Sequence, residues 1–570
     1  MKNQRLTAIV LGVMTLSMVL SACGNGTEKT GAKSTDLPKI ITTEIKAVKP
    51  DAVPDTAKNR KDTLVVGADM LFGVFNPLYF GSLGDSYTVD SIFDGLIDFD
   101  KYGQPVKGIA KSWKVSKDGR VYTFKMNKGV KFSDGTPVTA KDVVFTYNVA
   151  ADNSYDKAMD LARLGIKGYK EYFEGKAATL AGVKAVDEYT VEFTLDEANA
   201  SAIYSFGIGI LSQAYYGKNY KQGDTKSIEV LHQKPMGCGP YKLTSYKNQQ
   251  DEQEVSLEKN DFYWKGAPKI KNIIYKETTE DTVISMLASG EIDMSMVTDK
   301  QENINEIKKA GFLNIQMFPK NRYGHIGMNM KSPLFSDVKV RQALAYGLRR
   351  TEIVKVVCGE YGNVQNQPTS LVGWTYNSNV NKYEYDLEKA KKLLDEAGWK
   401  VGASGLREKD GKKFEIRFLY FGPHPVLDAI IPLAQKDYEA LGIKFILKDT
   451  SGSSFLRPIF KKDDWEMYMM TLGLSADPDC SEIFGSKGLD NLTNYSNAKV
   501  DELLKKGLST IGTEARKKVY QDLWKKLNEE LPQIFLYQRS DMWVISDRVK
   551  NINCYPNRNF TNDLWQAELK

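Results

Sequence analysis

The chain has 570 residues, of which 42% are hydrophobic and 26% are charged. This ordinary globular composition suits about two to four domains, and it excludes a largely disordered protein, a collagen, a coiled-coil rod and a polytopic membrane protein. The formal net charge is only +6, which gives no reason to expect a nucleic acid as partner.

The first 22 residues have the pattern of a bacterial secretion signal. Lys2 and Arg5 form a short basic region, and an uncharged apolar segment runs from Leu6 to Leu20. That segment is shorter than the roughly 20 apolar residues that span a bilayer, and it ends in Leu-Ser-Ala before Cys23. The pattern resembles a lipobox and predicts a lipoprotein signal peptide at 1–22 with lipidation at the cysteine. An ordinary signal peptide that happens to contain a cysteine is the alternative.

Residues 23–61 are predicted to be a flexible tether behind the lipidated cysteine. They contain no aromatic residue, and their only notable apolar pair is Ile40-Ile41. Such a segment cannot bury enough surface to fold alone. A folded part held by this tether would lie at the outer face of the cytoplasmic membrane.

Strand and helix patterns alternate along the rest of the chain. Alternating residues at 113–126 predict a hairpin, and Thr139 to Asp142 reads as the capped start of a helix. Further along, predicted strands at 414–420 and 443–448 flank a predicted helix at 425–441, which is a βαβ pattern. An apolar strand is predicted at 467–474. The chain is therefore predicted to be α/β with mixed sheets.

Several of these segments, taken together and in order, resemble the family 5 extracellular solute-binding proteins. The proteins of this family are the peptide and nickel receptors of ABC importers. The matching segments are Gly108–Trp113, Val121–Phe124, Val130–Val143, Gly182–Asp187, Gly237–Tyr241, Leu257–Asn260, Gly290–Asp293, Asp337–Ala343 and Ala390–Gly398. Each segment is weak alone, but their order and their spread over residues 62–556 make the resemblance specific.

The resemblance implies a two-lobed periplasmic-binding-protein-like fold with an extra inserted domain and hinged lobes. Lobe I is expected to come from three separate segments, 62–98, 232–322 and 535–570. The inserted domain II is expected at 99–231 and lobe III at 323–534. The predicted hinges are the crossings near 322 and 534, and closure about them would engulf the ligand between the lobes.

In the family's peptide receptors, an aspartate of the second lobe pairs with the α-amine of the ligand. It lies three residues before an acidic-Pro step, which is Asp477-Pro478 here. The resemblance therefore places the amine-binding position at Leu474 and a family tryptophan at Thr471, so both expected side chains are absent. Three alternatives follow: Asp477 or Asp479 replaces the missing aspartate, the peptide binds in another register, or the ligand is not a simple free-amine peptide.

The resemblance also implies that peptides bind as an extra strand through main-chain hydrogen bonds, which need no particular side chain. One backbone segment in each lobe would contact the ligand. The predicted ligand-binding residues are Phe80, Gly81, Ser82 and Leu83 in the first lobe, and Thr471, Leu472, Gly473, Leu474, Ser475 and Asp477 in the second.

No catalytic pattern competes with this interpretation. The only three histidines are far apart, and HExxH, GxSxG and P-loop motifs are absent. We therefore predict no enzyme activity, no cofactor and no protein-held metal. Four other cysteines are scattered along the chain, at Cys238, Cys358, Cys480 and Cys554. Whether any of them form disulfides cannot be deduced from the sequence.

The sequence thus predicts a lipid-anchored, monomeric receptor that captures small peptides and delivers them to the permease subunits of an ABC importer. A receptor for a nickel or other metal chelate, or for an oligosaccharide, on the same fold is the alternative. A structural adhesin or a signalling receptor would require a different partner protein.

Overall fold

The computed structural model describes residues 42–155, 161–249, 252–450, 457–462 and 464–570. The predicted signal peptide and Cys23 lie outside these ranges. No helix within them combines the length and the apolar character that a bilayer crossing needs.

The strands, in chain order, are β1 (Thr43–Ile45), β2 (Thr63–Ala68), β3 (Ile97–Phe99), β4 (Pro105–Lys107), β5 (Ala110–Val115), β6 (Val121–Met126), β7 (Val183–Asp187), β8 (Thr190–Thr194), β9 (Tyr241–Gln249), β10 (Glu252–Lys259), β11 (Asn272–Glu277), β12 (Met294–Val297), β13 (Leu313–Pro319), β14 (Arg322–Met328), β15 (Asn363–Val364), β16 (Lys400–Val401), β17 (Arg407–Lys409), β18 (Lys412–Lys413), β19 (Glu415–Tyr420), β20 (Lys444–Asp449), β21 (Met467–Gly473), β22 (Gln533–Gln538), β23 (Ser540–Ser546), β24 (Val549–Lys550) and β25 (Glu568–Leu569).

The helices, in chain order, are α1 (Asp55–Lys58), α2 (Leu83–Ile92), α3 (Ala140–Ala150), α4 (Leu161–Leu164), α5 (Tyr169–Phe173), α6 (Gln213–Tyr216), α7 (Lys226–Glu229), α8 (Val283–Ala288), α9 (Gln301–Ala310), α10 (Val338–Tyr346), α11 (Arg350–Cys358), α12 (Leu387–Glu396), α13 (Pro425–Glu439), α14 (Arg457–Phe460), α15 (Ser481–Phe484), α16 (Ala498–Ser509) and α17 (Thr513–Glu530). The predicted α/β class with mixed sheets is confirmed.

Lobe I is built on an eight-stranded sheet in the order β1-β13-β23-β12-β2-β11-β10-β9. Its central strand β2 pairs in parallel with β11 and β12. Leu64, Val65 and Val66 are all buried, as expected of a strand that is covered on both faces. The ends of β2 and β12 therefore lie side by side at one edge of the sheet, which faces the other lobe.

Domain II contains a four-stranded sheet in the order β5-β6-β8-β7. The predicted start of α3 is confirmed, because the Asp142 carboxylate accepts hydrogen bonds from the backbone N–H and the hydroxyl of Thr139 at 2.8 and 2.9 Å. One continuous hydrophobic core joins this domain to lobe I, from Leu64 of β2 to Phe124 of β6 and Phe193 of β8. Domain II is therefore packed on lobe I as one body.

Lobe III has its own core and a six-stranded sheet in the order β15-β22-β14-β21-β19-β20. The predicted βαβ unit is confirmed, since β19 and β20 are parallel neighbours linked by α13. Strand β21 lies between β14 and β19 and pairs antiparallel with β14 along its whole length, from Met467 to Gly473.

Residues 42–61, predicted to belong to a flexible tether, are folded instead. Strand β1 pairs antiparallel with β13 through Thr43 and Ile45. Val53 and Ala57 are buried in a hydrophobic core on one face of the lobe I sheet. The prediction was wrong for this part because the segment buries its few apolar residues against a distant strand rather than against itself.

Two short segments connect the large sheets. Residues 320 and 321 join β13 to β14, and Arg539 alone joins β22 to β23. The second crossing was predicted near 534, but β22 remains in the lobe III sheet as far as Gln538. The N–H of Lys320 donates to the carbonyl of Arg539 at 2.8 Å, so the two segments are hydrogen-bonded to each other.

The four cysteines whose pairing the sequence left open are all free thiols, and all are buried. Cys238 and Cys554 lie in the core shared by lobe I and domain II, whereas Cys358 and Cys480 lie in the core of lobe III. Burial raises the pKa of the Cys358 thiol to about 12, so this thiol stays protonated and unreactive at neutral pH.

Candidate functional site

A cavity of about 600 Å³ lies between the two large sheets, beside the segments that connect them. Lobe I contributes the residue after β2, the end of β12 and the start of β23. Lobe III contributes the middle of β21, the end of β22 and the start of α13. A cavity of this size is typical of a site for a small ligand.

Part of the cavity wall is apolar, and that part is rich in methionine. Its methionines are Met296, Met469, Met470 and Met542, and its other apolar residues include Phe421, Val426 and Leu427. Methionine is unbranched and polarisable, so such a wall adapts to apolar groups of different shapes. The sequence reasoning missed these four residues because their alignment on one cavity depends on contacts between distant strands.

Strand β21 presents a backbone edge to this cavity. Among the described residues, β19 pairs with β21 only at Met467. The N–H of Leu474 donates to the carbonyl of Asn321 at 2.8 Å, which fixes the alternation of the antiparallel ladder. Residues 468, 470 and 472 then face β14, while the backbone groups of Met469, Thr471 and Gly473 face the opposite edge. Beyond Met467 no described strand pairs with that edge, which leaves it available to an additional strand.

The predicted second-lobe residues occupy different positions relative to this edge. Thr471 is exposed and lines the cavity, and Gly473 belongs to the same open edge. Leu472 and Leu474 instead pack against the core of lobe III. The hydroxyl of Ser475 donates to the carbonyl of Asp477 at 2.6 Å, which closes a turn after the strand.

The predicted first-lobe residues lie at the start of α2. Phe80 and Leu83 are exposed, and Gly81 has open space around its α-carbon. Ser82 caps the helix, since its hydroxyl accepts a hydrogen bond from the N–H of Asp85 at 3.0 Å. These four residues do not belong to the cavity lining, although the chain that leads to them starts at Asp69, which does.

Asp477, a predicted replacement for the missing amine anchor, is bound to a cation of its own lobe. The Arg516 guanidinium donates to its carboxylate at 2.6 Å, and the two side chains are 5% and 13% exposed, respectively. Burial raises the pKa of the Asp477 carboxyl, and the positive charge of Arg516 opposes that rise. The same guanidinium donates to the Ser201 hydroxyl of domain II at 2.7 Å. The pair therefore links lobe III to domain II.

Asp479, the other predicted replacement, also has partners. Arg163 of domain II lies 3.2 Å from its carboxylate, and the N–H and hydroxyl of Ser481 donate to it at 3.2 and 2.6 Å. Both acidic residues near the Asp-Pro step thus hold lobe III against domain II.

Four of the charged residues around the cavity form two ion pairs. Arg539 lies 3.3 Å from Asp299, and Lys320 lies 2.8 Å from Asp541. Each pair joins a residue of a crossing segment to the lobe I sheet. These four side chains neutralise one another where the lobes meet.

Two further charges on the cavity wall, Asp69 and Arg322, lack such partners. Both residues are exposed, and neither makes an ion pair or a side-chain hydrogen bond with another residue in the described part of the chain. Asp69 follows β2 in lobe I, and Arg322 begins β14 beside Gly473 of β21. Sequence reasoning had no signal for them, because an isolated charge after a strand is usually solvated surface.

His424 is the histidine of the cavity wall. It caps α13, where its Nδ1 accepts a hydrogen bond from the N–H of Val426 at 3.3 Å. Within the described ranges no group of three or more histidine, cysteine or acidic side chains is arranged to hold a metal ion. The wall therefore offers a backbone edge, an apolar surface and two separate charges.

Two lobes joined by two hydrogen-bonded segments around a ligand-sized cavity form the architecture of a binding protein. The family model of bacterial extracellular solute-binding proteins, family 5, matches residues 104–487. The chain belongs to this family, and the predicted two-lobed fold is confirmed. The family consists of extracellular solute-binding proteins rather than enzymes.

Individual relatives agree with this assignment. The chain is 30% identical to the oligopeptide-binding protein AppA of Bacillus subtilis (strain 168), with 99% of this chain and 98% of AppA covered. It is 27% identical to the dipeptide-binding protein of Escherichia coli (strain K12), with 84% and 89% covered.

Solved structures show the same likeness. The structure of Bacillus subtilis AppA with a nonapeptide superposes with a TM-score of 0.66 at 28% identity, and 90% of this chain and 99% of AppA are covered. NikZ of Campylobacter jejuni with Ni(L-His) superposes with a TM-score of 0.67 at 25% identity, covering 89% and 99%.

Proposed function

We propose that this protein is the lipid-anchored receptor of an ABC importer and that it captures peptides between its lobes. The ligand would lie along β21, bound mainly through its backbone, and would be delivered to the membrane permease when the lobes reopen. The related AppA is an oligopeptide-binding protein, which supports the ligand class.

The open edge of β21 carries this proposal. Met469, Thr471 and Gly473 direct their N–H and carbonyl groups toward the cavity side, and a peptide is a ligand whose own backbone matches such an edge. Met469 is only 4% exposed. Leaving the backbone groups of a buried strand unpaired costs free energy, so an added strand would satisfy them.

The anchoring part of the proposal rests on the sequence. Cys23 follows an apolar segment and two small residues, and lipidation there would hold the protein at the outer face of the cytoplasmic membrane. Diacylation provides the two chains that stable attachment requires.

The test is native mass spectrometry of residues 24–570, which include the whole compact unit from Pro38 to Lys570. The protein is purified from a bacterial host without refolding, and any bound species is released and sequenced. We expect a mixture of peptides as added mass. A single non-peptide species, such as a metal with an organic chelator or an oligosaccharide, would refute the peptide assignment and support the alternative.

A pair of variants at one position isolates the backbone contribution. Thr471→Pro removes one N–H from the open edge but not from the β14 ladder, and proline is tolerated at such edge positions. Thr471→Ala keeps the N–H and removes only the side chain. We expect the alanine variant to retain peptides and the proline variant to lose most of them. Equal retention by the two folded variants would contradict binding by strand addition.

A further inference from the structure

The two unpartnered charges on the cavity wall define what kind of peptide fits. We propose that Asp69 binds the α-amine of the ligand and Arg322 its α-carboxylate, so that the site selects short peptides with both termini free. This inference rests on the proposed function, since it assigns the ligand class of the same cavity.

Among the described residues of lobe III, the three positions considered for an amine anchor leave no carboxylate free for the amine. The position implied for the anchor is Leu474, whose side chain packs against the core of the lobe. Asp477 is neutralised by Arg516 at 2.6 Å, and Asp479 is occupied by Arg163 and Ser481. An amine buried at these positions would have to displace an existing cation or remain unpaired, which is costly.

One acid of the cavity wall has no counter-charge in the described part of the chain. Asp299 and Asp541 line the wall, but each is paired with a cation of a crossing segment. Asp69 lines the same wall from lobe I, is exposed, and has no partner in the described part of the chain. It is therefore the acid available to a ligand amine, and the anchor has moved from one lobe to the other.

The opposite charge on the cavity wall belongs to Arg322. Arg322 is the cross-strand partner of Gly473, so it lies at the end of the open edge along which the ligand would bind. Cross-strand partners share one face of the sheet, which is also the face of Thr471 on the cavity wall. A guanidinium suits a carboxylate because its N–H groups form a planar fork. A ligand strand that ends beside Gly473 would bring its carboxylate to this group.

The size of the cavity limits the length of the peptide. Both charges border a single space of about 600 Å³, so a peptide that satisfies both must place its two termini inside it. A long peptide would leave at least one terminus outside and gain nothing from one of the two groups. The site is thus built for peptides of a few residues, with the methionine-rich wall accepting apolar side chains.

The experiment compares three pools of random tetrapeptides: with free termini, N-acetylated and C-amidated. Affinity is measured by calorimetry on protein freed of endogenous ligand. We expect acetylation and amidation each to weaken binding by about 10- to 100-fold, the range of a charge-assisted hydrogen bond. Tetrapeptides should also bind better than decapeptides.

Variants assign each terminus to its residue. Asp69→Asn should weaken binding of the pool with free termini by the same factor and leave binding of the N-acetylated pool unchanged. Arg322→Gln should weaken binding of the pool with free termini by the same factor and leave binding of the C-amidated pool unchanged. Asp281→Asn, an exposed acid outside the cavity lining, serves as the control and should change neither.

The outcomes separate this inference from the proposed function. If peptides bind but acetylation has no effect, or if Asp69→Asn weakens both pools equally, the assignment of the amine is wrong while the peptide receptor stands. If decapeptides bind and tetrapeptides do not, the short-ligand class is wrong. If no peptide of any length binds, the proposed function itself fails.

Discussion

The buried pair of Asp477 and Arg516 leads to a prediction with a worked magnitude. Replacing Arg516 by methionine keeps most of the side-chain volume but removes the cation that lies 2.6 Å from the carboxylate. It also removes the donors to the carbonyl of Gly507 and the hydroxyl of Ser201. Breaking a buried ion pair from one side costs about 3–5 kcal/mol. For a unit of roughly 200 residues, this corresponds to a melting temperature about 6–20 °C lower.

The loss should depend on pH in a defined direction. Burial already raises the pKa of Asp477, with Arg516 opposing the rise, so in Arg516→Met the folded-state pKa rises further above the unfolded value. The unfolded state then binds fewer protons between the two pKa values, and stability falls as the pH rises through that window. The deficit relative to the unsubstituted protein should be smallest below about pH 4, the ordinary pKa of aspartate.

The assay is differential scanning calorimetry of the unsubstituted protein and the variants at a series of pH values. Lys518→Met on the exposed face of the same helix is the matched control and should leave the melting temperature unchanged. Adding Asp477→Asn to Arg516→Met removes the uncompensated charge and should recover a large part of the loss. The reasoning is refuted if Arg516→Met melts like the control, or if the double variant is no more stable than the single one.

Three other predictions concern separate parts of the molecule. Gly327→Ala would place a methyl carbon 2.2 Å from the ring of the buried Tyr468; we expect a loss of about 1–3 kcal/mol, measured by thermal unfolding, and an unchanged melting temperature would contradict the packing. Four thiols are buried, those of Cys238, Cys358, Cys480 and Cys554. They should resist a thiol reagent in the folded protein and all react in denaturant; labelling of any of them before unfolding would disagree with their burial. Cys23→Ser should move the protein from the membrane fraction to the soluble fraction of fractionated cells; continued membrane association would argue against the lipid anchor.

Features set by neighbouring residues could be predicted from the sequence. The capped start of α3 depends on Thr139 and Asp142, three residues apart, and the structure contains the expected hydrogen bonds. The strand predicted at 467–474 is β21, which ends one residue earlier. The order of the short motifs along the chain was sufficient to identify the fold as a two-lobed α/β protein.

Features set by distant residues could not be predicted in this way. Ile45 of the supposed tether pairs with Ile315, and a local absence of apolar residues gives no sign of such a partner. The carboxylate of Asp477 depends on a guanidinium 39 residues later. Asp69 and Arg322 border one cavity although more than half of lobe I lies between them in the sequence. Ion pairing decided which charges are available to a ligand, and pairing is a tertiary property.

The hydrogen-bonded crossing segments have a mechanical consequence. The carbonyl of Lys320 also accepts a hydrogen bond from the side-chain amide of Gln538 at 2.6 Å. The two crossing segments, around residues 320 and 539, are therefore tied together side by side. Two segments tied in this way would favour bending across their width over twisting or sliding past each other, so the lobes would rotate about a single axis. Every ligand that permits closure would then bring the protein to the same final pose. The outer surface of the closed protein would be the same for every ligand, so a partner that contacts it would detect that the site is occupied but not which ligand occupies it.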